Sequence, residues 1–330
     1  MELPRVLLVE MIHPDAVAVL RDRAEIIVAP DPFPQTLLNL VGDVDAIVIR
    51  ARGQIDGTLL AQASRLCVVA RHGVGLDNID VEACSRRGIW VVHTPLASVS
   101  AVAEHAVTLM LAGAKEIVRG DQAVRTGEFV AAGQSIVALE LRGKTLGIVG
   151  FGRIGQKVAE ICRAAFAMPV LFADVVPHHK AARRLGASYV SLDELLTRSD
   201  VVSLHLPLTP ETRHLIDEAA LRRLRQGAIL VNTSRGAVVD EHALVEALRA
   251  RRLSAALDVF EEEPLPVSHP LAGLTNVVLT PHNASHTDAA LRAMGMVVED
   301  VIRILGGEPP KYPANAPGAG GASTEARDRR

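Results

Sequence analysis

Thr145-Leu146-Gly147-Ile148-Val149-Gly150-Phe151-Gly152-Arg153-Ile154-Gly155 sets a short apolar run directly ahead of three glycines spaced G-x-G-x-x-G, and an amphipathic stretch then runs to about Ala165. Strand, glycine turn and helix in that order are the setting in which this spacing binds a dinucleotide rather than making an ordinary turn. Gly150 would make the turn, Gly152 would let main chain approach a pyrophosphate, and Gly155 would let the helix pack on its strand. The helix N-terminus adds N–H donors and the positive end of its dipole. The next apolar run, Val170–Ala173, ends in Asp174, about 20 residues beyond the glycines, where a carboxylate holds ribose hydroxyls and repels a 2′-phosphate. NAD rather than NADP is therefore the expected cofactor. His178, His179 and Lys180 soften that preference, and the plainer reading of Asp174 is a cap for the following helix.

The same alternation extends in both directions. Ahead of the glycines lie Val6–Val9, Ile26–Val28, Ala46–Ile49, Cys67–Ala70 and Trp90–Val92; after them come Val170–Ala173, Val201–Leu204, Ala228–Val231, Ala255–Leu257 and Val277–Leu279. Short β-branched runs separated by helical patterns predict parallel sheets covered on both faces, and 330 residues predict two domains. From Ser98 to about Val118 the pattern is helical and apolar nearly all round, which suits a hinge or a dimer interface. A last helix, about Thr287 to Leu305, has no sheet of its own left to cover and is expected to return to the first domain. The end of the chain, rich in Pro, Gly, Ala and charge, is expected to lack order.

Composition excludes several classes. Hydrophobic content is 49%, yet no apolar run reaches the ~18 to 20 residues of a membrane span. The amino terminus enters a strand-like run without a basic region or cleavage pattern, so secretion is not expected. Three scattered cysteines, Cys67, Cys84 and Cys162, suit reduced thiols and a cytoplasmic location. A net charge of −3 and 3% aromatic content give neither a basic field nor a stacking surface for nucleic acid, so the partner is a small molecule.

Three segments follow strands of the second series, at the carboxyl ends where open α/β sheets bind ligands. They are Asn232-Thr233-Ser234-Arg235-Gly236, Asp258 to Pro264, and Thr280-Pro281-His282. Reducing a 2-oxo acid needs a cation for the carboxylate, a proton donor for the carbonyl oxygen, and a partner that keeps the donor charged. Arg235, His282 and Glu263 answer to these needs, with Glu263 expected to raise the His282 pKa. Taken singly, each has a plain alternative: a solvated turn arginine, one glutamate of an acidic loop, a histidine capping a helix. Their placement along one sheet edge is what favours chemistry. His282 and His286 stand four apart, but no further ligand accompanies them and no metal is expected.

At this point the chain resembles the D-isomer-specific 2-hydroxyacid dehydrogenases. The resemblance rests on Arg71 to Asp80, His93-Thr94-Pro95 with Ser100 and Glu104, Gly147 to Gly152, His205-Leu206-Pro207-Leu208-Thr209, Asn232 to Gly236, Asp258 to Pro264 and Thr280-Pro281-His282. It implies a Rossmann NAD-binding domain (99–283) inserted into a flavodoxin-like substrate domain (1–98 with 284–312), followed by a disordered tail (313–330). It implies that Arg235, Glu263 and His282 form a catalytic triad, that main chain at Val74 and Gly75 receives the substrate carboxylate, and that Asp258 meets the nicotinamide amide. Cofactor contacts at Arg153, Ile154, His205, Pro207, Thr212 and Thr233 follow from the same likeness, as does a homodimer or tetramer. The activity implied is hydride transfer between NAD(H) and a small D-2-hydroxy or 2-oxo acid; the alternative is an NAD-sensing regulatory protein like the family's corepressors. His93, Ser98 and Asn283-Ala284-Ser285 depart from the family pattern and bear on substrate choice. Arg50, Arg52, Arg71 and His72 lie at or just beyond strand ends of the first domain and suggest a substrate with a second anionic group, such as 3-phosphoglycerate; hydroxypyruvate and glyoxylate are the smaller candidates.

Overall fold

Among residues 2–317, which the computed structural model describes, the eleven apolar runs and one further segment, Ala187–Tyr189, form twelve strands. They are β1 (Arg5–Leu8), β2 (Glu25–Val28), β3 (Ala46–Ile49), β4 (Val68–Arg71), β5 (Trp90–Val92), β6 (Leu146–Val149), β7 (Val170–Ala173), β8 (Ala187–Tyr189), β9 (Val201–Leu204), β10 (Ala228–Asn232), β11 (Leu253–Leu257) and β12 (Val277–Leu279). All pair in parallel, in two sheets that belong to two compact units. One unit holds the residues up to Ser98 together with those from Thr287; the other is the continuous stretch Val99–His286.

The first unit carries the order β2-β1-β3-β4-β5. Side chains alternate across a strand, so Leu7, Ile47, Ile49 and Val69 enter one core, with Leu37, Leu59, Leu60 and Cys84 from the helices on that side. Val6, Leu8, Val48 and Val68 enter the other, with Ala16, Leu20, Val298 and Val301. The segment from Thr287 was expected to be one helix and is two, Asp288–Gly295 and Val298–Leu305. Thr287 caps the first by accepting the Ala290 N–H at 3.2 Å. A Cβ on Gly295 would stand 2.9 Å from that of Ala16, so glycine lets this helix lie against Pro14–Leu20. The expected disorder from 313 is corrected over its first residues. Pro313 bridges Val92, Ala314 N–H donates to the Val91 carbonyl at 2.7 Å, and Asn315 accepts the Val91 N–H at 2.7 Å while donating to the Ile89 carbonyl at 2.9 Å. These bonds satisfy backbone groups on the outer edge of β5, the side away from β4, a role composition does not reveal. Residues 318–330 of the expected tail lie outside the described residues.

The second unit carries the order β12-β11-β10-β9-β6-β7-β8. The strand order reverses between β6 and β9, which makes that point the ligand-binding position of an open parallel sheet. One sheet face packs Leu146, Ile148, Phe172, Val201 and Val231 against the helices Val99–Ala114 and Arg153–Phe166; the other packs Val149, Val202, Leu204, Leu230 and Leu257 against Leu195, Leu221 and Leu244. The all-round apolar helix ends at Ala114, where Glu116 takes a left-handed conformation (φ 49°) and a new helix, Ile117–Arg125, begins. Its burial is met inside its own unit, against Arg153–Phe166 and strands β10 to β12, so it needs neither a hinge nor a second subunit to explain it.

Candidate active site

The glycine turn closes tightly onto its neighbours. Gly150 has φ +91°, and a Cβ there would lie 2.4 Å from the His205 carbonyl oxygen on the far side of the switch point. A Cβ on Gly155 would lie 2.3 Å from the Gly150 carbonyl oxygen, while one on Gly152 would meet nothing within 4 Å. The first and third glycines are thus demanded by the fold, and the second leaves open space over the N-terminus of Arg153–Phe166. Asp174, just beyond β7, accepts the Phe151 N–H at 2.6 Å and the Val176 N–H at 3.0 Å. It ties the turn to the neighbouring strand and does not cap the following helix; the cap position of His179–Leu185 is His178, whose Nε2 stands 3.5 Å from Asp174.

Other expected cofactor contacts have structural duties of their own. Burial pushes the His205 pKa down to about 4, so the imidazole is neutral, with Nε2 at 2.9 Å from Ser203 Oγ. Thr212 Oγ1 donates to the Pro207 carbonyl at 2.7 Å and accepts the Thr209 N–H at 2.8 Å, which closes the turn after β9. Thr233 differs: its Oγ1 is buried and, among the described residues, has no hydrogen-bond partner. A buried hydroxyl left unpaired costs roughly 1–3 kcal/mol. At the end of β10, with the open space over Gly152, it fits a polar ligand, and the residues present suit NAD: a pyrophosphate over Gly152 to Ile154, ribose hydroxyls at Asp174.

The three residues expected to react, Arg235, Glu263 and His282, follow the ends of β10, β11 and β12. Asn232, buried at the end of β10, accepts the Ser234 N–H at 3.0 Å and donates to the Arg235 carbonyl at 2.9 Å, which folds the turn that presents Arg235. A Cβ on Gly236 would stand 1.9 Å from the Phe260 carbonyl carbon, so only glycine lets the loop after β11 come this close. That loop brings in Glu263, whose Oε1 accepts the Phe260 N–H at 3.0 Å and whose Oε2 is 2.6 Å from His282 Nδ1. Burial would raise the Glu263 pKa. The hydrogen bonds from His282 and Phe260 and the nearby charges of His282 and Arg235 outweigh it, and the net shift is downward. Glu263 is therefore a carboxylate near neutrality and accepts the Nδ1 proton, leaving Nε2 of the half-exposed His282 to exchange a proton with a ligand.

His282 sits at φ +50°, a conformation that costs a non-glycine residue ~1 kcal/mol. Asp258 imposes it. Its main-chain carbonyl accepts the His282 N–H at 2.8 Å, and its fully buried carboxylate accepts Thr280 Oγ1 at 2.6 Å, Asn283 N–H at 3.0 Å and Ala284 N–H at 2.9 Å. The expected nicotinamide contact at Asp258 is thus joined by a second duty, anchoring the segment on both sides of His282. Neither Asn232, Gly236 nor Thr280 was singled out from the sequence, although Asn232 and Gly236 flank Arg235 and Thr280 shares its tripeptide with His282.

The basic residues of the first unit are engaged within it. His72 is 4% exposed, and burial together with the Arg50 charge pushes its pKa down to about 4, so it is neutral. Arg71 Nε donates to the Gly75 carbonyl at 2.6 Å and its Nη1 to the His72 carbonyl at 3.0 Å, bracing the 72–75 turn. Arg50 donates to the Met11 carbonyl at 2.9 Å, and exposed Arg52 pairs with Glu10. Thr94 Oγ1 accepts the Gly73 N–H at 3.2 Å, and the exposed Val74 follows on the same turn, with Gly75 beyond it.

The second unit is thus a dinucleotide-binding domain with an acid–base pair and a guanidinium on adjacent strand ends, the equipment of a nicotinamide-dependent oxidoreductase. Residues 107–284 match the family model described as D-isomer specific 2-hydroxyacid dehydrogenase, NAD binding domain. A glyoxylate reductase of Aeropyrum pernix is 45% identical over 321 residues, 94% of this chain and 95% of the relative. A D-3-phosphoglycerate dehydrogenase of Methanocaldococcus jannaschii is 39% identical over 95% of this chain, which spans 60% of that longer relative. The structure of a D-lactate dehydrogenase of Aquifex aeolicus, complexed with NAD and lactic acid, superposes with a TM-score of 0.82 at 32% identity, covering 92% of this chain and 96% of that one. The chain belongs to the D-isomer-specific 2-hydroxyacid dehydrogenases, and NAD is its cofactor.

Proposed function

We propose that this enzyme reduces a small 2-oxo acid carrying a single carboxylate, of the size of glyoxylate or hydroxypyruvate, to its 2-hydroxy acid. The observation that carries the reading is the 2.6 Å contact between His282 Nδ1 and Glu263. When bound, NADH supplies the hydride to the carbonyl carbon. His282 donates the Nε2 proton to the carbonyl oxygen, and the Glu263 carboxylate balances the charge of the imidazolium beforehand. Arg235 holds the substrate's oxygens and polarises the carbonyl. Oxidation runs the same steps backwards, with His282 as base. The main-chain N–H groups of Val74 and Gly75 are assigned to the carboxylate, and the unit that holds them to substrate binding.

A single negative charge is preferred over a dianion because His72 is neutral and Arg50, Arg52 and Arg71 already serve carbonyls and Glu10 of their own unit. The near full-length likeness to a glyoxylate reductase supports the same choice. The test is NADH oxidation with glyoxylate, hydroxypyruvate, 3-phosphohydroxypyruvate and 2-oxoisocaproate side by side, with His282→Ala as control. Highest kcat/KM on glyoxylate or hydroxypyruvate supports the proposal, and highest on the phosphorylated acid restores the dianion. Tight NADH binding without turnover on any acid would make the protein a sensor.

We further assign a homodimer. Ile117, Val118, Val124, Phe129 and Val130 on the two short helices after Ala114, and Val137 just beyond them, are all more than half exposed, a concentration of apolar surface that a second copy would cover. Light scattering on Phe129→Asp with Val130→Asp should show monomers where the parent shows dimers. Three unpaired cysteines, two of them buried, suit a cytoplasmic setting, and among the described residues no helix is long and apolar enough to cross a membrane.

A further inference from the structure

Behind the His282–Glu263 pair lies a second imidazole–carboxylate contact that the proposed chemistry does not use. The helix Val99–Ala114 brings His105 Nε2 to 3.1 Å from Thr280 Oγ1 and 3.4 Å from Asp258 Oδ1. The Thr280 hydroxyl donates to Asp258 Oδ1 at 2.6 Å, its shortest and charge-assisted contact, so toward His105 it can only accept. The hydrogen on that ring is therefore on Nε2, and the order of donation is His105 to Thr280 to Asp258. Asp258 in turn holds the N–H groups of His282, Asn283 and Ala284, and so keeps His282 at its positive φ.

We infer that His105 is a positioning residue, which acts through Thr280 and Asp258 to fix the rotation of the main chain that aims His282 at the substrate. The inference rests on the reading of His282 as proton donor. The His105 ring is 21% exposed, and its Nε2 edge is turned to the Thr280–Asp258 pair. Three N–H or O–H groups already converge on the Asp258 carboxylate, so it must remain an acceptor on both oxygens, and the fourth donor from His105 keeps Thr280 from turning its hydroxyl to the Leu257 carbonyl, 3.4 Å away. Without His105 the hydroxyl can choose between the two acceptors, and the segment 280–284 loses one fixed end.

The test compares His105→Leu, which removes the donor, with His105→Gln, whose amide nitrogen can reach the position of Nε2, and Thr280→Val with Thr280→Ser. Two readouts are taken: kcat and KM with the best 2-oxo acid, and the NMR titration of His282 in the protein without substrate, where Glu263 and Arg235 are the charged neighbours on the loops beside it. The expected result is a loss of about tenfold in kcat for the Leu and Val variants with KM for NADH unchanged, a displaced His282 titration, and recovery of both in the Gln and Ser variants. Leu and Val variants with parental kcat and an undisturbed titration would overturn the inference. A fall in thermal stability and NADH affinity together, not rescued by Gln, would overturn it in favour of simple packing. If the parent protein turns over no acid, the reading of His282 as donor fails; the His282 titration in the variants still decides whether His105 positions it.

Discussion

Gly236 has no space for any side chain, because the Phe260 carbonyl occupies it. Gly236→Ala should therefore push the loop after β11 away from the Arg235 turn. We expect a loss of at least 2 kcal/mol in urea unfolding, in the range of overpacked sites, and a kcat decrease larger than that of a distant substitution of equal cost. Glu263→Gln keeps the size of the side chain but removes the charge that balances the imidazolium; kcat for 2-oxo acid reduction should fall about a hundredfold, with NADH binding by fluorescence unchanged. At this level the sequence offered the candidate reactive groups more readily than their supports. Arg235, Glu263 and His282 stand out because each follows an apolar run and each has a type suited to the chemistry. His105 meets Thr280 across 175 positions of chain, and no local pattern announces such a contact. The arginines are a related case: a sequence shows that Arg71 is charged, but not that its guanidinium donates to the carbonyls of residues 72 and 75.

The elements were readable wherever burial is two-sided. β3 and β7 are buried at every position, and each appears in the sequence as an unbroken apolar run. β8, Ala187–Tyr189, was missed because it is an edge strand of which no residue is buried, so neither run nor alternation marks it. The long helical pattern after Ser98 was read as continuous because apolar residues persist beyond the left-handed turn at Glu116; they belong to a second helix that leaves Ile117 and Val118 exposed. The turn from β7 toward His179–Leu185 carries the cofactor preference. Asp174→Ser removes the carboxylate while His178, His179 and Lys180 remain, so the ratio of kcat/KM with NADPH to that with NADH should rise by an order of magnitude. The same change also removes an acceptor from the Phe151 N–H, so some loss with NADH should accompany it.

For the molecule as a whole, stability should depend on the histidines that folding keeps neutral. Burial pushes the pKa values of His72 and His205 down to about 4 in the folded chain, below the ordinary 6.5, so the unfolded chain binds protons that the folded chain refuses. Their contribution is complete above pH 6.5 and is lost as the pH falls toward 4, by about 3 kcal/mol for His72 alone. Urea midpoints measured across that interval should decline, and His72→Gln should flatten the decline. The architecture of two parallel sheets followed from the alternation of strands and helices, whereas the fastening of β5 by Asn315 did not, since a Pro- and Ala-rich end offers no periodicity to read. The discontinuity of the first unit has a consequence for the order of events at the ribosome. Its strands are synthesised first, yet Val298 and Val301, which cover the Val6, Leu8 and Val68 face, come last. The intervening unit, continuous in the chain, can complete its core while that apolar face is still waiting for its cover, so the earliest strands to be made belong to the last core to close and are the part of the nascent protein most in need of a chaperone.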